Sequence, residues 1–315
     1  MRKTLLYMIG GMLLLTSCHY KDLEYSDLLH NMRVVFLWDE APDAAPESML
    51  MYVFSGEAQP VTMPFADING GPAALAPATY QFIAMNDGTE LLTRGTRFEE
   101  FEVYAPETSM PSVSRMFAAN RAFPVAPGTE NQHVYMEPEW LQTHGIESFA
   151  LTEKTETVEF MMHEAVKVYH FIIEDVENLE HVTAVTATLS GMSESWLAGY
   201  DRCSDTECLI PFTMESVGEG TASVAGEVRS FGHCPHTEIH NHFLTVYYEM
   251  DNGKKLYSVI DVTERLHDGE HDNGGDDPIV IEGPALPYSD DSEEGGGMFT
   301  PEVGEWIEVN EDIYL

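Results

Sequence analysis

Between Phe231 and His242 the chain reads Phe-Gly-His-Cys-Pro-His-Thr-Glu-Ile-His-Asn-His. His233, His236, His240 and His242, with Cys234, put imidazole and thiolate groups, the ligands of zinc and copper, close together in sequence. On a helix, such spacing would set a shared face. Here the stretch lies between two strand patterns and reads as a loop, where sequence spacing fixes no ligand geometry. It also lacks a second spaced Cys pair. The reading is a His-rich polar loop, and no metal ligand set is assigned. Asp268-Gly269-Glu270-His271-Asp272-Asn273-Gly274-Gly275-Asp276-Asp277 offers the hard oxygen ligands that calcium prefers, but not the glycine and distal glutamate spacing of an EF-hand. It reads as a solvated loop. Cys203 and Cys208 could bridge around the four residues between them, or stay reduced. Trp38, Trp140, Trp196 and Trp306 could line a sugar site, but buried aromatic core is the ordinary role for each. No Gly-x-Ser-x-Gly, His-Glu-x-x-His or phosphate-binding glycine loop is present. With 54 carboxylates, choosing two as a glycosidase pair would be arbitrary. The expectation is a protein that is not an enzyme and needs no cofactor.

One further thiol has a chemistry set by its position. Cys18 closes Leu15-Thr16-Ser17-Cys18, after an apolar run from Leu5 to Leu15 led by Arg2 and Lys3. A basic start, a short apolar core and small residues before the break make a secretory signal, and the run is too short to span a bilayer as a stable helix. The ending fits a bacterial lipobox: cleavage before Cys18, then acylation of the new N-terminus, labelling with palmitate. Two or more acyl chains anchor a protein stably where one does not. Residues 1–17 are thus expected to be a lipoprotein signal peptide, 18–31 a polar tether, and the location the outer membrane.

Lys and Arg number 15 against 54 Asp and Glu, a net charge of −39 at pH 7. Arg2 and Lys3 fall within the signal, so the mature chain is more negative still. Nucleic acid, which is bound by neutralising phosphates, is excluded as a partner, as is an anionic lipid surface. A hydrophobic content of 43% with 10% aromatics is that of a folded protein.

The elements that must position these groups are short alternating runs. Met32–Trp38, Met49–Ser55, Val61–Ala66, Thr79–Met85 and Phe98–Tyr104 read as strands separated by turn clusters such as Asn69-Gly70-Gly71-Pro72 and Asn86-Asp87-Gly88. Residues 105–155 carry five prolines (Pro106, Pro111, Pro124, Pro127, Pro138) and read as a long connection with brief strands. The rhythm resumes over Thr157–Glu174 as two strands or one bent one. It continues over Val182–Ser190, Cys208–Glu215, Ala222–Phe231, Phe243–Met250, a hairpin into Lys255–Val262, Pro278–Ile281 and Trp306–Val309. No segment carries a helical apolar stripe of useful length. The expectation is an all-β protein of two β-sandwich domains in tandem, 32–155 and 156–315, the second with acidic loops.

Cys18-His19-Tyr20-Lys21-Asp22-Leu23, Arg33-Val34-Val35-Phe36-x-Trp38, Ala41-Pro42-Asp43-Ala44, Gly226-x-Val228-x-Ser230-Phe231-Gly232-His233, and Asp251-x-Gly253-Lys254-x-x-Tyr257 with Asp261-Val262-Thr263 are spread over most of the mature chain. Together they resemble a lipoprotein family of Bacteroidota built on a domain of unknown function, which is similar to the fimbrillin superfamily. The resemblance implies two transthyretin-like β-sandwich domains and a place among the shaft, tip and anchor subunits of surface fimbriae. The family pattern carries His-His-Pro where this chain has His233-Cys234-Pro235, which speaks against a Cys-based site. Lys21-Asp22-Leu23-Glu24 resembles the signal that sends lipoproteins of this phylum to the outer face. The expected function is a surface-exposed, fimbrillin-like lipoprotein with a structural or adhesive role, such as fimbrial anchor or accessory subunit. It would join other fimbrial subunits by strand addition, with Trp306–Val309 as one edge-strand candidate. The alternative is a glycan-binding lipoprotein of a polysaccharide-uptake system.

Overall fold

Alternation of apolar and polar residues builds the first strand where the pattern places it. The computed structural model describes residues 29–56, 58–117, 123–217, 222–234, 241–271, 274–288 and 306–309. In β1 (His30–Glu40), Val34 and Phe36 are buried while Arg33 faces solvent. It is followed by β2 (Ser48–Phe54), β3 (Val61–Phe65), β4 (Gly70–Leu75) and β5 (Ala78–Asp87). With β9 (Gln142–Leu151) and β10 (Thr157–Glu164) these form a seven-stranded sheet in the order β3-β2-β5-β9-β10-β1-β4. β9 pairs with β5 over most of its length but meets β10 only at Thr143–His163 and Gln142–Glu164. The sheet folds over at this junction into two layers, and their rings meet inside. Phe36 and Phe65 lie 5.4 Å apart, Phe82 and Phe160 6.2 Å.

The second sheet repeats the device. Its order is β19 (Ile279–Glu282), β11 (Lys167–Glu174), β16 (Ser223–Ser230), β15 (Glu207–Val217), β12 (Val182–Ser193), β17 (Phe243–Met250), β18 (Lys255–Asp261) and β20 (Trp306–Glu308), with β8 (His133–Val134) beside β15. β15 pairs with β12 up to Met214 and with β16 from Glu215 onward, so one long strand passes between layers. Tyr169, Phe171 and Ile173 of β11 pack against Ala187, Leu189, Phe212 and Val246 in a single core. A small third sheet, β14 (Arg202–Cys203), β13 (Ser195–Leu197), β7 (Glu102–Tyr104) and β6 (Leu92–Arg94), takes strands from both halves of the chain. Val103 and Trp196 from it join Phe54, Ile83, Met85 and Phe231 in a cluster on the outer face of β2 and β5.

The architecture is all-β, with helix confined to single turns such as Met110–Val113 and Thr263–Leu266 among the described residues. Four details differ from the sequence reading. The boundary expected near residue 155 falls in the turn between β9 and β10, closed by Thr155 N–H to the Thr152 carbonyl at 3.0 Å; the second sheet opens only at Lys167. β9 itself lies in the segment read as a connection, because Gln142 and Thr143 are its buried residues at one end and no apolar period marks it. β4 contains the cluster read as a turn. It is an edge strand, where Pro72 is tolerated, and Gly70 sits at φ +110°, where an added Cβ would fall 2.0 Å from the Val34 carbonyl oxygen. Phe98–Glu100, read as the start of a strand, is a 3₁₀ turn leading into β7.

Candidate functional site: a capped sheet edge

β18 would be the open edge of the second sheet were it not partly covered by β20. The two run parallel, pairing Lys255 with Trp306, Leu256 with Ile307 and Tyr257 with Glu308; Val309 N–H then donates to the Tyr257 carbonyl at 2.8 Å. The cap is short, and nothing among the described residues pairs with the outer side of β18 from Ser258 to Asp261. Side chains fasten it as well. The Trp306 ring stacks on Phe117 at 5.4 Å and meets Tyr247 edge-on at 5.4 Å. Lys255, buried, sets its ammonium 5.5 Å from the same ring and donates to the Met116 carbonyl. Tyr257 donates to Glu308 Oε2 at 3.2 Å. Burial and the nearby Glu308 carboxylate push the Tyr257 phenol above its ordinary value. Ile307 points outward, 44% exposed. The edge-strand reading of Trp306–Val309 thus matches the geometry, and among the described residues only short main-chain pairing holds the strand in place.

The groups singled out for chemistry fall as follows. Cys18 lies outside the described residues, as do His236 and His240. His233, His242 and His267 gather their rings, with centroids 4.4 Å apart for His233 and His267 and 5.1 Å for His242 and His267. His242 Nδ1 lies 3.1 Å from the Ser190 carbonyl, and its Nε2 faces His267 Nε2 within the group at 3.2 Å. Cys203, Cys208 and Cys234 are free thiols, so no bridge joins the first two. Burial pushes the Cys203 thiol up to about 11 and the Cys234 thiol to about 12, and holds Cys208 well above the usual range. None is an activated nucleophile. Asp268 accepts from the backbone N–H of His271 and Glu270 at 3.0 and 2.9 Å and ties its own loop. Those bonds, with the His271 ring, hold its carboxyl below the usual value.

The four tryptophans divide. Trp196 is buried, Trp306 is stacked, and Trp38 donates Nε1–H to the Ile68 carbonyl at 2.9 Å. Trp140 alone of the four is substantially exposed, at 44%. It lines a cavity of about 980 Å³ with Glu137, His170, Glu227 and Arg229. Burial raises the Glu137 carboxyl, although Arg229 N–H donates to it at 2.9 Å. Sequence reasoning missed a further group altogether. His144 of β9, His163 of β10 and Asp201 of the turn after β13 each bring one ligand atom within 4.8 Å of the others. They are 57 residues apart from first to last, and His144 lies in the strand the pattern hides, so no local signal marks them.

A family model described as a domain of unknown function, DUF5119, matches residues 17–213. The chain belongs to that family. Over 204 residues this DUF5119 chain is 24% identical to a Bacteroides ovatus protein described as a putative fimbrium anchoring subunit, Fim4B; the match takes in 62% of this chain and 56% of that protein. It therefore spans little more than half the length of that curated relative. A crystal structure of a putative adhesin from Bacteroides ovatus superposes with a TM-score of 0.63 at 20% identity, covering 94% of this chain and 98% of the other. At that identity the likeness establishes a shared fold. The DUF5119 match takes in His144, His163 and Asp201 and stops before β18 and β20.

Proposed function

We propose that this DUF5119 chain is a fimbrillin-like lipoprotein of the cell surface, held in the outer membrane through Cys18, which anchors or caps a fimbrium by strand addition. The observation that carries the reading is the edge of β18, covered over three residues by a short strand and, among the described residues, without a strand partner on that side beyond Tyr257. An incoming strand can extend or replace that pairing. Main-chain hydrogen bonds then supply affinity, and alternate side chains supply specificity. The sequence likeness to a fimbrium anchoring subunit and the adhesin-like fold support the same class of role. Among the described residues no helix is long and apolar enough to cross a membrane. A lipid on Cys18 supplies the attachment, and the acidic surface keeps like chains apart. The part assigned is a structural one, with the β18 edge as its docking surface.

Two measurements on cells test this. Cys18→Ala shifts the protein from the membrane to the soluble fraction and abolishes palmitate labelling; retention with labelling intact contradicts the anchor. Capture of the intact protein from surface-shaved cells recovers a fimbrial subunit. Recovery of polysaccharide alone, with fimbriation unchanged in a deletion strain, would move the assignment to glycan binding at the Trp140 cavity.

A further inference from the structure

We infer that His144, His163 and Asp201 form a binding site for a divalent transition-metal ion of the zinc class, which fastens the turn after β13 to the first sheet. The inference stands apart from the fimbrial reading and rests on how the fold builds the trio.

The two histidines sit at the junction where the first sheet folds over. His144 pairs with Ala84 of β5, and its neighbour Thr143 pairs with His163 of β10. Their rings are 6.0 Å apart at 78°. Asp201 arrives from the other half of the chain, and its arrival is built in. Gly145 has no side chain because the Gly199 carbonyl packs against it; a Cβ there would lie 2.3 Å from that oxygen. Gly145 N–H donates to Asp201 Oδ2 at 3.2 Å, and Asp201 holds φ +48°. One carboxylate oxygen is thereby anchored and the other aimed at the imidazoles.

Two of the three ligand atoms, His144 Nδ1 and Asp201 Oδ1, are buried and have no hydrogen bond. Asp201 Oδ1 lies 3.3 Å from His163 Nε2, within ion-pair distance but without hydrogen-bond alignment. Buried nitrogen and oxygen atoms are rarely left so, because each costs the desolvation of an unmade bond. A cation bound between them satisfies all three at once. Two imidazoles and one carboxylate are the donor set of zinc and its neighbours, whereas calcium and magnesium call for a shell of oxygens. Small side-chain rotations bring the ligand atoms from their present separation to the roughly 2.0–2.2 Å bonds such an ion requires. His163 and Asp201 side chains are 25% and 23% exposed, which leaves an entry path and room for water to complete the coordination. Glu40 pairs with His163 across β1 and β10 and adds negative charge beside the site.

The test is calorimetric titration of the chelator-treated full chain with Zn²⁺, followed by elemental analysis. His144→Gln and His163→Gln each bind one equivalent fewer than wild type, while His267→Ala, which removes a ring from the other histidine group, keeps that equivalent. Asp201→Asn retains an acceptor for Gly145 N–H and a residue that tolerates positive φ, so it folds, and its affinity for that equivalent falls by at least about tenfold. Should either glutamine variant lose its native circular dichroism, Asp201→Asn decides alone. Unchanged stoichiometry and affinity in these variants, or loss of the equivalent in His267→Ala instead, overturns the assignment.

Discussion

Trp306→Ala should open the β18 edge without unfolding the protein. The ring touches Phe117 and Tyr247, and such aromatic pairs contribute about 0.5–1.5 kcal/mol each beyond their buried area. The Lys255 ammonium over the ring adds about 0.5–1 kcal/mol. Truncation therefore removes roughly 2–3 kcal/mol from the attachment of β20. The remaining main-chain pairing to Lys255, Leu256 and Tyr257 is worth only about 1 kcal/mol per bond. The loss is local, because the second core closes over β11, β12, β15 and β17 without the Trp306 ring. Hydrogen exchange read by mass spectrometry is the assay. Amides of Val309 and of the β18 segment should exchange roughly 30- to 150-fold faster, the factor equivalent to 2–3 kcal/mol. Those of β12 and β17 should be unchanged. Trp306→Phe is the control. It keeps a ring on Phe117 and removes an indole N–H that is buried without a partner, so its effect should stay below about 1 kcal/mol. Unchanged exchange at β18 in the alanine variant, or faster exchange throughout the chain, would refute the view that this ring is the separate fastening of the cap.

Three other outcomes are expected. Gly70→Ala, at φ +110° against the Val34 carbonyl, should lower stability by at least about 2–3 kcal/mol in urea, whereas Gly253→Ala, at φ +80° in open space, should cost about 1–2 kcal/mol; equal costs would deny the close approach of β4 to β1. Burial raises the Glu137 carboxyl, so its favourable contribution is full below the unfolded value of about 4.3 and is lost as pH rises through the folded value. Glu137→Gln should therefore gain stability relative to wild type between about pH 4 and pH 7, and a pH-independent difference would contradict the burial. Cys203, Cys208 and Cys234 should alkylate slowly in the native protein at about pH 8 and all three rapidly in denaturant; fast native labelling, or a missing thiol in denaturant without reductant, would show the account of these residues to be wrong.

The legible parts of the fold were those where one face of a strand is dry. Val34 and Phe36, and Val158 with Phe160 and Met162, alternate in sequence and are buried in the structure. The turn from Met250 to Lys255 between β17 and β18 follows from Asp251-Asn252-Gly253, the last at φ +80°. What stayed hidden was held by groups other than apolar side chains. β9 buries Gln142 and Thr143, and Asn86 Oδ1 takes the Gln142 N–H at 2.7 Å. β4 depends on glycine approaching a carbonyl. The third sheet joins residues about a hundred positions apart, with Arg94 donating to Glu102 at 2.8 Å and also reaching Glu194. Three-residue strands carry no period to read. The same applies to the candidate sites. Trp306–Val309 stood out as an edge-strand candidate, a short strand pattern whose charges discourage promiscuous pairing. His144, His163 and Asp201 converge through a strand junction and a tight turn, which are properties of the tertiary fold.

The most direct test of strand addition at the second sheet is site-specific photocrosslinking on intact fimbriated cells, with the photoreactive residue in place of Ile307 on β20. A matched probe in place of Val61, on the far edge of the first sheet, serves as control. Strand addition at β18 predicts a crosslinked adduct with a fimbrial subunit from position 307 and none from position 61. No protein adduct at position 307 while fimbriae are present, or equal capture from both positions, would contradict it.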